Sequence, residues 1–375
     1  ATRTIGISGA GTNTFNNEFY LDGNLTVAAG ANATDRVNLS GNILNTGGLI
    51  KTNAGILVLS GASSTFSGGV TLGQGTLRIG GNSALGTGAF TLNDGTTFAS
   101  DSGTARTATN NITLGGNVQF GDATGTGALT LSNINLNGGT RTLTLSNSTT
   151  VAGIVSNGGM TKTGAGTLTL SGASANTFTN LVTVSAGTLN LNKTAGQNAI
   201  IGSVTVSSGA TLLLSSSNQL DSQTTDVVTL SGGTIKRASG VTEVFGNLNV
   251  TEASFLDFSG GTGQSLTFTG LNYTPSALLS LQLVNFTQGN TLVFQNTTDM
   301  TGLIGSGFTF SGSGGFGSTS FSGSTFTITA IPEPSTYLAA AGLLAMFIWP
   351  SRRRLIKDMK SILGLRVPAR DRFGS

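Results

Sequence analysis

The 375-residue chain contains no cysteine and no histidine, one tryptophan and only five prolines. Without cysteine there is no disulfide framework, no thiolate nucleophile and no thiolate metal site. That absence suits an exported bacterial protein, which avoids mispairing in an oxidising compartment. Without histidine the commonest general base and the commonest transition-metal ligand are missing. Charge is scarce too. Asp, Glu, Lys and Arg make up 9% of residues, against roughly 25% in an ordinary soluble domain.

The few charges are unevenly placed. Residues 1–331 carry ten Lys/Arg and twelve Asp/Glu, a net −2, whereas residues 332–375 carry eight and three, a net +5. The basic character therefore belongs to the tail, and the body has no basic stripe of the kind that binds nucleic acid. Calcium loops of the Gly-Gly-x-Gly-x-Asp type and phosphate-cradling Gly-x-x-x-x-Gly-Lys-Ser/Thr loops are also absent, so no metal or cofactor is expected. Ala1–Ala10 shows no basic stretch followed by an apolar run. A removed signal peptide and a truncated start both fit that opening.

What is present is glycine, at 57 residues, with abundant Ser, Thr and Asn. These residues supply the positive-φ positions and side-chain-to-backbone bonds of tight turns. Thr, Val, Ile and Phe favour strands. Units such as Leu129/Leu131, Leu143/Leu145, Leu189/Leu191, Val204/Val206 and Leu212/Leu214 alternate with Thr, Ser or Asn at period two, the pattern of a strand with one apolar face. Turns such as Asn93-Asp-Gly95, Asn137-Gly-Gly139 and Ser208-Gly209 bound them.

An internal repeat organises the chain. Gly48-Leu-Ile-Lys-Thr-Asn-Ala-Gly-Ile-Leu-Val-Leu-Ser-Gly-Ala62 aligns with Gly159-Met-Thr-Lys-Thr-Gly-Ala-Gly-Thr-Leu-Thr-Leu-Ser-Gly-Ala173. With one inserted residue the match continues from Val70–Leu77 to Val182–Leu189. Short one-faced strands bury that face by stacking coil on coil, with inward Leu and Val in ladders and outward Thr and Asn in water. At about 20–25 residues per coil and a spacing of about 4.8 Å, such a solenoid is a rod roughly 60–80 Å long. An antiparallel sandwich array fits less well, because a solenoid corner absorbs an inserted residue easily.

Aromatics concentrate at residues 241–330, including Phe245, Phe258, Phe268, Phe286, Phe294, Phe308 and Phe326. This region reads as a differently packed end whose bulk closes the final coil. Gly312–Gly323 reads as a loop. From Ile331 the composition changes abruptly. Two prolines stiffen the chain, an uncharged stretch follows over residues 335–350, and Arg352, Arg353 and Arg354 come next. Those sixteen residues make a helix about 24 Å long, slightly short of the ~30 Å hydrocarbon core. Tyr337 and Trp349 suit its two interfaces, and the arginines stop transfer on the cytoplasmic side.

The tail resembles the PEP-CTERM sorting signal, in which Pro-Glu-Pro, an apolar helix and a basic cluster close the chain. Pro332, Glu333 and Pro334 match the motif, and Arg352–Arg354 match the cluster. The resemblance implies processing by an exosortase, a membrane partner engaged through residues 335–350. The repeat blocks resemble the autotransporter-associated β-strand repeat (passenger-associated transport repeat), closely over Gly158–Gly172 and less so over Gly47–Gly61. That resemblance implies a right-handed parallel β-helix exported to the cell surface.

The expected organisation is an all-β solenoid over 1–240, with its best repeat matches at 47–77 and 158–189. The aromatic-rich end occupies 241–330, the sorting signal with its apolar helix 331–354, and a basic extension 355–375. Lys51 and Lys162 hold the same repeat position and are expected as solvated turn lysines, because two cations one long repeat apart form no patch for anionic sugars. Glu243, Glu252 and Asp257 are the densest carboxylates of the body. An inverting glycosidase needs a carboxylate pair about 6.5–9.5 Å apart, but the Asp-Asp pair and histidine of pectinase-type β-helices are absent. Thr142/Thr144 and Thr167/Thr169 suggest the flat arrays of ice-binding solenoids, and irregular coil length argues against that order. The expectation is a non-enzymatic surface or extracellular-matrix protein of a Gram-negative bacterium, anchored transiently in the inner membrane and then facing exopolysaccharide or neighbouring cells. The alternative is a polysaccharide hydrolase or lyase displayed by the same route.

Overall fold

The structure is a computed structural model that describes residues 3–7, 10–221, 226–259, 261–272, 279–311 and 318–330. The sorting motif Pro332–Pro334, the apolar stretch 335–350, the arginine cluster Arg352–Arg354 and the extension 355–375 lie outside the described residues. Within them the regular structure is strand, joined by turns and loops, with a single 3₁₀ turn at Thr301–Leu303.

The strands wind into a right-handed parallel β-solenoid. Its long face runs the length of the rod, with fourteen parallel strands from Thr12–Phe15 to Thr291–Phe294. At one strand spacing per coil this is a rod of roughly 60 Å. An early face of eight strands extends from Arg3–Gly6 to Val155–Ser156. A late face of ten strands extends from Arg106–Ala108 to Phe308–Ser311. Coil length varies from 19 residues between Leu143 and its partner Lys162 to 27 between Leu281 and its partner Phe308. The parallel register rules out the sandwich array.

The alternation read from sequence decides which way each strand faces. Leu189 and Leu191, Val204 and Val206, and Leu212 and Leu214 all point inward and are fully buried. Equivalent residues stack into ladders, as Leu168 on Leu189 on Leu212 on Ile235 on the late face. Coil-length differences collect in the corners and loops, so they leave the ladders unbroken.

The two repeat blocks occupy different sides of the rod. In the first, the Lys51 strand (Leu49–Thr52) lies on the early face and leads through a corner to Ile56–Leu59 on the long face. In the second, the Lys162 strand (Gly159–Thr163) lies on the long face and leads to Thr167–Gly172 on the late face. The motif therefore encodes a corner rather than a face. After each block the third side is a loop, anchored by a buried phenylalanine, Phe66 or Phe178.

At the aromatic-rich end the inward ladder becomes a stack of rings. Phe245, Phe268 and Phe294 lie 4.7 and 5.6 Å apart with nearly parallel planes. Closure comes from a change of strand direction. Thr325–Thr329 pairs antiparallel with Thr291–Phe294 and sets Phe326 opposite Phe294. Ser318–Ser322 completes this hairpin as a strand, which corrects the loop expected over that part of 312–323. Alternating hydroxyl side chains there are compatible with either state, and the antiparallel partner decides it.

Gly187 shows how tightly the corners stack. Its φ is 63°, and a Cβ there would lie 2.8 Å from the Gly166 carbonyl of the coil below and 2.6 Å from the Lys162 ammonium. Gly95 has a similar φ of 71° but open space around it. Gly187→Ala is expected to lower stability by about 3 kcal/mol or more, against about 1–2 kcal/mol for Gly95→Ala. Urea denaturation of the two variants checks this, and equal losses would contradict the stacked-corner geometry.

Candidate functional site

The corners hold the buried chemistry of this protein. At the two repeat corners backbone carbonyls point inward, and buried backbone groups require partners. Lys51 and Lys162 supply them. Both side chains are fully buried, which overturns their expected role as solvated turn lysines. Lys51 stands between Val27 and Leu72 in an inward ladder. Its ammonium donates to the carbonyls of Thr52 and Asn53 in its own corner at 2.9 and 2.6 Å, and to Gln74 of the next coil at 2.9 Å.

Lys162 repeats the arrangement between Leu143 and Val184. Its ammonium donates to Gly164 at 2.7 Å, to Ala186 of the next coil at 2.8 Å, and at 3.4 Å to Thr163. Asn53 and Gly164 both have positive φ, which directs consecutive carbonyls toward the lysine. The Lys-Thr-x-Ala-Gly run is therefore the sequence of a carbonyl cage closed by its own cation. Long stems let the charge sit at the corner while the methylenes fill the apolar ladder.

Where the early face ends, buried polar side chains take over its bonding. Asn176 accepts from the Val155 amide and donates to the Ala199 carbonyl, both at 2.8 Å. Lys193 donates to the carbonyls of Gly153 and Ser171 at 3.0 and 2.9 Å. Its own amide donates to Gln219, and the Gln219 and Leu220 amides donate to Glu243 at 2.8 and 3.2 Å. Farther along, Arg237 donates to the Val241 carbonyl and to Asn290, with its guanidinium 4.9 Å over the Phe258 ring. Composition gave no sign of this polar seam. Its only sequence signal is that the late coils lose the alternating strand on their third side while retaining isolated long polar residues.

The acid cluster does not assemble. Glu243 is buried and engaged by backbone amides. Glu252 lies nine residues farther along the same strand, up to about 30 Å away. Asp257 pairs with Lys236 at 3.1 Å and accepts from Ser259 and Asn285. Among the described residues no group of three or more acidic side chains is placed to hold a metal.

The outer surface is ordered hydroxyl and amide. Thr142 continues through Thr161, Thr183 and Thr205 on the long face. Thr167 continues through Thr188, Thr211 and Thr234, beside Thr107–Thr130–Thr150–Thr169, on the late face. These columns keep register despite unequal coils, so irregular coil length does not break the array as expected.

Burial pushes the Lys51, Lys162 and Lys193 ammonium groups down to about 8 and the Glu243 carboxyl up to about 7, against the lowering effect of its backbone amides. Between pH 4.5 and 7 the folded chain keeps a Glu243 proton that the unfolded chain has lost, so stability falls as pH rises. Between pH 8 and 10.5 the unfolded chain holds lysine protons that the folded chain has released, so stability rises. Urea midpoints across pH 4–10.5 are expected to show a trough near pH 7–8, and replacing the three lysines by Met is expected to remove the alkaline rise. A maximum near neutrality in the unaltered protein would contradict this assignment.

The profile of the passenger-associated-transport-repeat family matches residues 49–79 and 160–191. These two segments contain both lysine corners, the following Gly-Thr-Leu strands, and the loops anchored by Phe66 and Phe178. No curated protein and no solved structure matches the chain.

Proposed function

We propose that this protein is an exported structural or adhesive rod of the cell surface or extracellular matrix. The observation that carries the reading is the division of labour between inside and outside. Buried titratable groups such as Lys51, Lys162, Lys193 and Glu243 bond to backbone at the corners, while the faces present continuous columns of Thr and Asn. A hydroxyl and amide surface with little charge suits hydrogen bonding to a neutral or weakly charged exopolysaccharide along the length of the rod. Two segments similar to the passenger-associated-transport-repeat support secretion or surface display.

On this reading the tail directs the protein to its destination. Pro332, Glu333 and Pro334 form the recognition motif for an exosortase, residues 335–350 engage the inner membrane, and Arg352, Arg353 and Arg354 hold the cytoplasmic side. Processing then releases the rod to the surface or matrix. The hydrolase or lyase alternative has less support, because Glu243 and Asp257 are already committed to hydrogen bonds and an ion pair.

Mass spectrometry of the C-terminus in cells with and without the exosortase tests the sorting step. Loss of residues 335–375 only where the exosortase is present is the expected result. Persistence of these residues in both strains would refute the processing assignment.

A further inference from the structure

The ladders that hold the coils together are chemically monotonous. In the central coils most inward positions are Leu or Val and most outward positions Thr or Asn. A slip of two residues between neighbouring coils returns every apolar side chain to the inside. Sliding Thr167–Gly172 against Thr188–Lys193 by two residues, for example, sets Leu170 on Leu189 in place of Leu191 and keeps the leucines of both strands inside. Hydrophobic patterning therefore distinguishes the native register from its slipped neighbours only weakly.

The buried lysines do distinguish it. We propose that Lys162 and Lys193, and Lys51 in the first repeat, are register keys that fix how each coil stacks on the next. Lys162 draws one cage carbonyl, Ala186, from the coil that follows its own. Lys193 reaches back to Ser171 in the coil before it and to Gly153 one coil earlier. The two keys thus clasp the same pair of coils from opposite sides, one on the long face and one on the late face. A two-residue slip moves these carbonyls by about 6.6 Å, beyond reach of an ammonium fixed in its own ladder.

The slipped state then buries a cation lacking an acceptor, which is costly. No carboxylate pairs with any of these three lysines among the described ion pairs. The specificity therefore rests on backbone geometry that only correct stacking provides. Fixing register is the best-attested use of a buried charge of this kind. The cage in the repeat motif is thus a conformational device for ordering near-identical coils.

The absence of native cysteine makes the test direct. Thr169 and Asn190 are ladder partners on the outer surface, so Thr169→Cys with Asn190→Cys reports native register by disulfide formation. Thr169→Cys with Thr188→Cys is diagonal in the native register and reports the two-residue slip that sets Leu170 on Leu189. Each pair is placed in the full chain with and without Lys162→Met and Lys193→Met, and thermal melting is recorded alongside. With both lysines present, the native pair is expected to cross-link and the diagonal pair to stay at background. With both replaced, the diagonal yield is expected to rise to a level comparable with the native pair, in a chain that still melts cooperatively but at a lower temperature because the cage carbonyls lose their donors. A single native register after replacement would overturn the proposal. So would a replaced chain that does not fold, since the lysines would then decide folding rather than register. Lys162→Met alone, with half the clasp removed, is expected to give an intermediate diagonal yield, and an unchanged yield counts against the proposal.

Discussion

Every turn of a solenoid must satisfy the carbonyls it points inward. Along a face each backbone group finds its partner in the coil above or below, at the cost of nothing but repetition. At a corner the chain changes direction, the ladder is interrupted, and the freed carbonyls sit beside a dry core. Solvating them would open the rod, and leaving them bare costs more than most single contacts supply. This chain answers with long cationic side chains at the repeat corners and with Asn, Gln and Glu where the third face gives way to loops. Ladders, loops and outer columns all depend on these corners being closed.

That constraint explains why the repeat motif takes the form it does. Gly-Thr-Leu follows the cage because only a glycine tolerates the approach of the coil below, as at Gly187. Lys-Thr precedes it because the ammonium must reach carbonyls on both sides of a coil boundary. The unit is a corner, and it serves equally between the early and long faces and between the long and late faces. A surface function is then free to use the hydroxyl and amide columns of the faces.

Much of the architecture was legible in the sequence, and its limits have physical causes. Period-two alternation identified strands such as Val204/Val206, and the offset repeat identified coils, because both depend on residue type alone. The burial of Lys51 was not legible. Lysine is among the residues least often buried, and its third carbonyl partner, Gln74, lies one coil away. The engagement of Glu243 by the Gln219 and Leu220 amides and of Asp257 by Lys236 was hidden for a similar reason, since those partners lie a coil away. The closing hairpin was missed because Ser318–Ser322 has the composition of a loop and becomes a strand only beside Thr325–Thr329.

The central claim is that three lysines lie inside the rod, closed in carbonyl cages. Acetylation of the folded protein with an amine-reactive ester, read by peptide mass spectrometry, tests it most directly. Lys236, whose side chain is 43% exposed, serves as the reactive control. Lys51, Lys162 and Lys193 are expected to remain unmodified while Lys236 is acetylated, and to react fully after denaturation. Acetylation of the three in the folded protein at the rate of Lys236 would contradict the account.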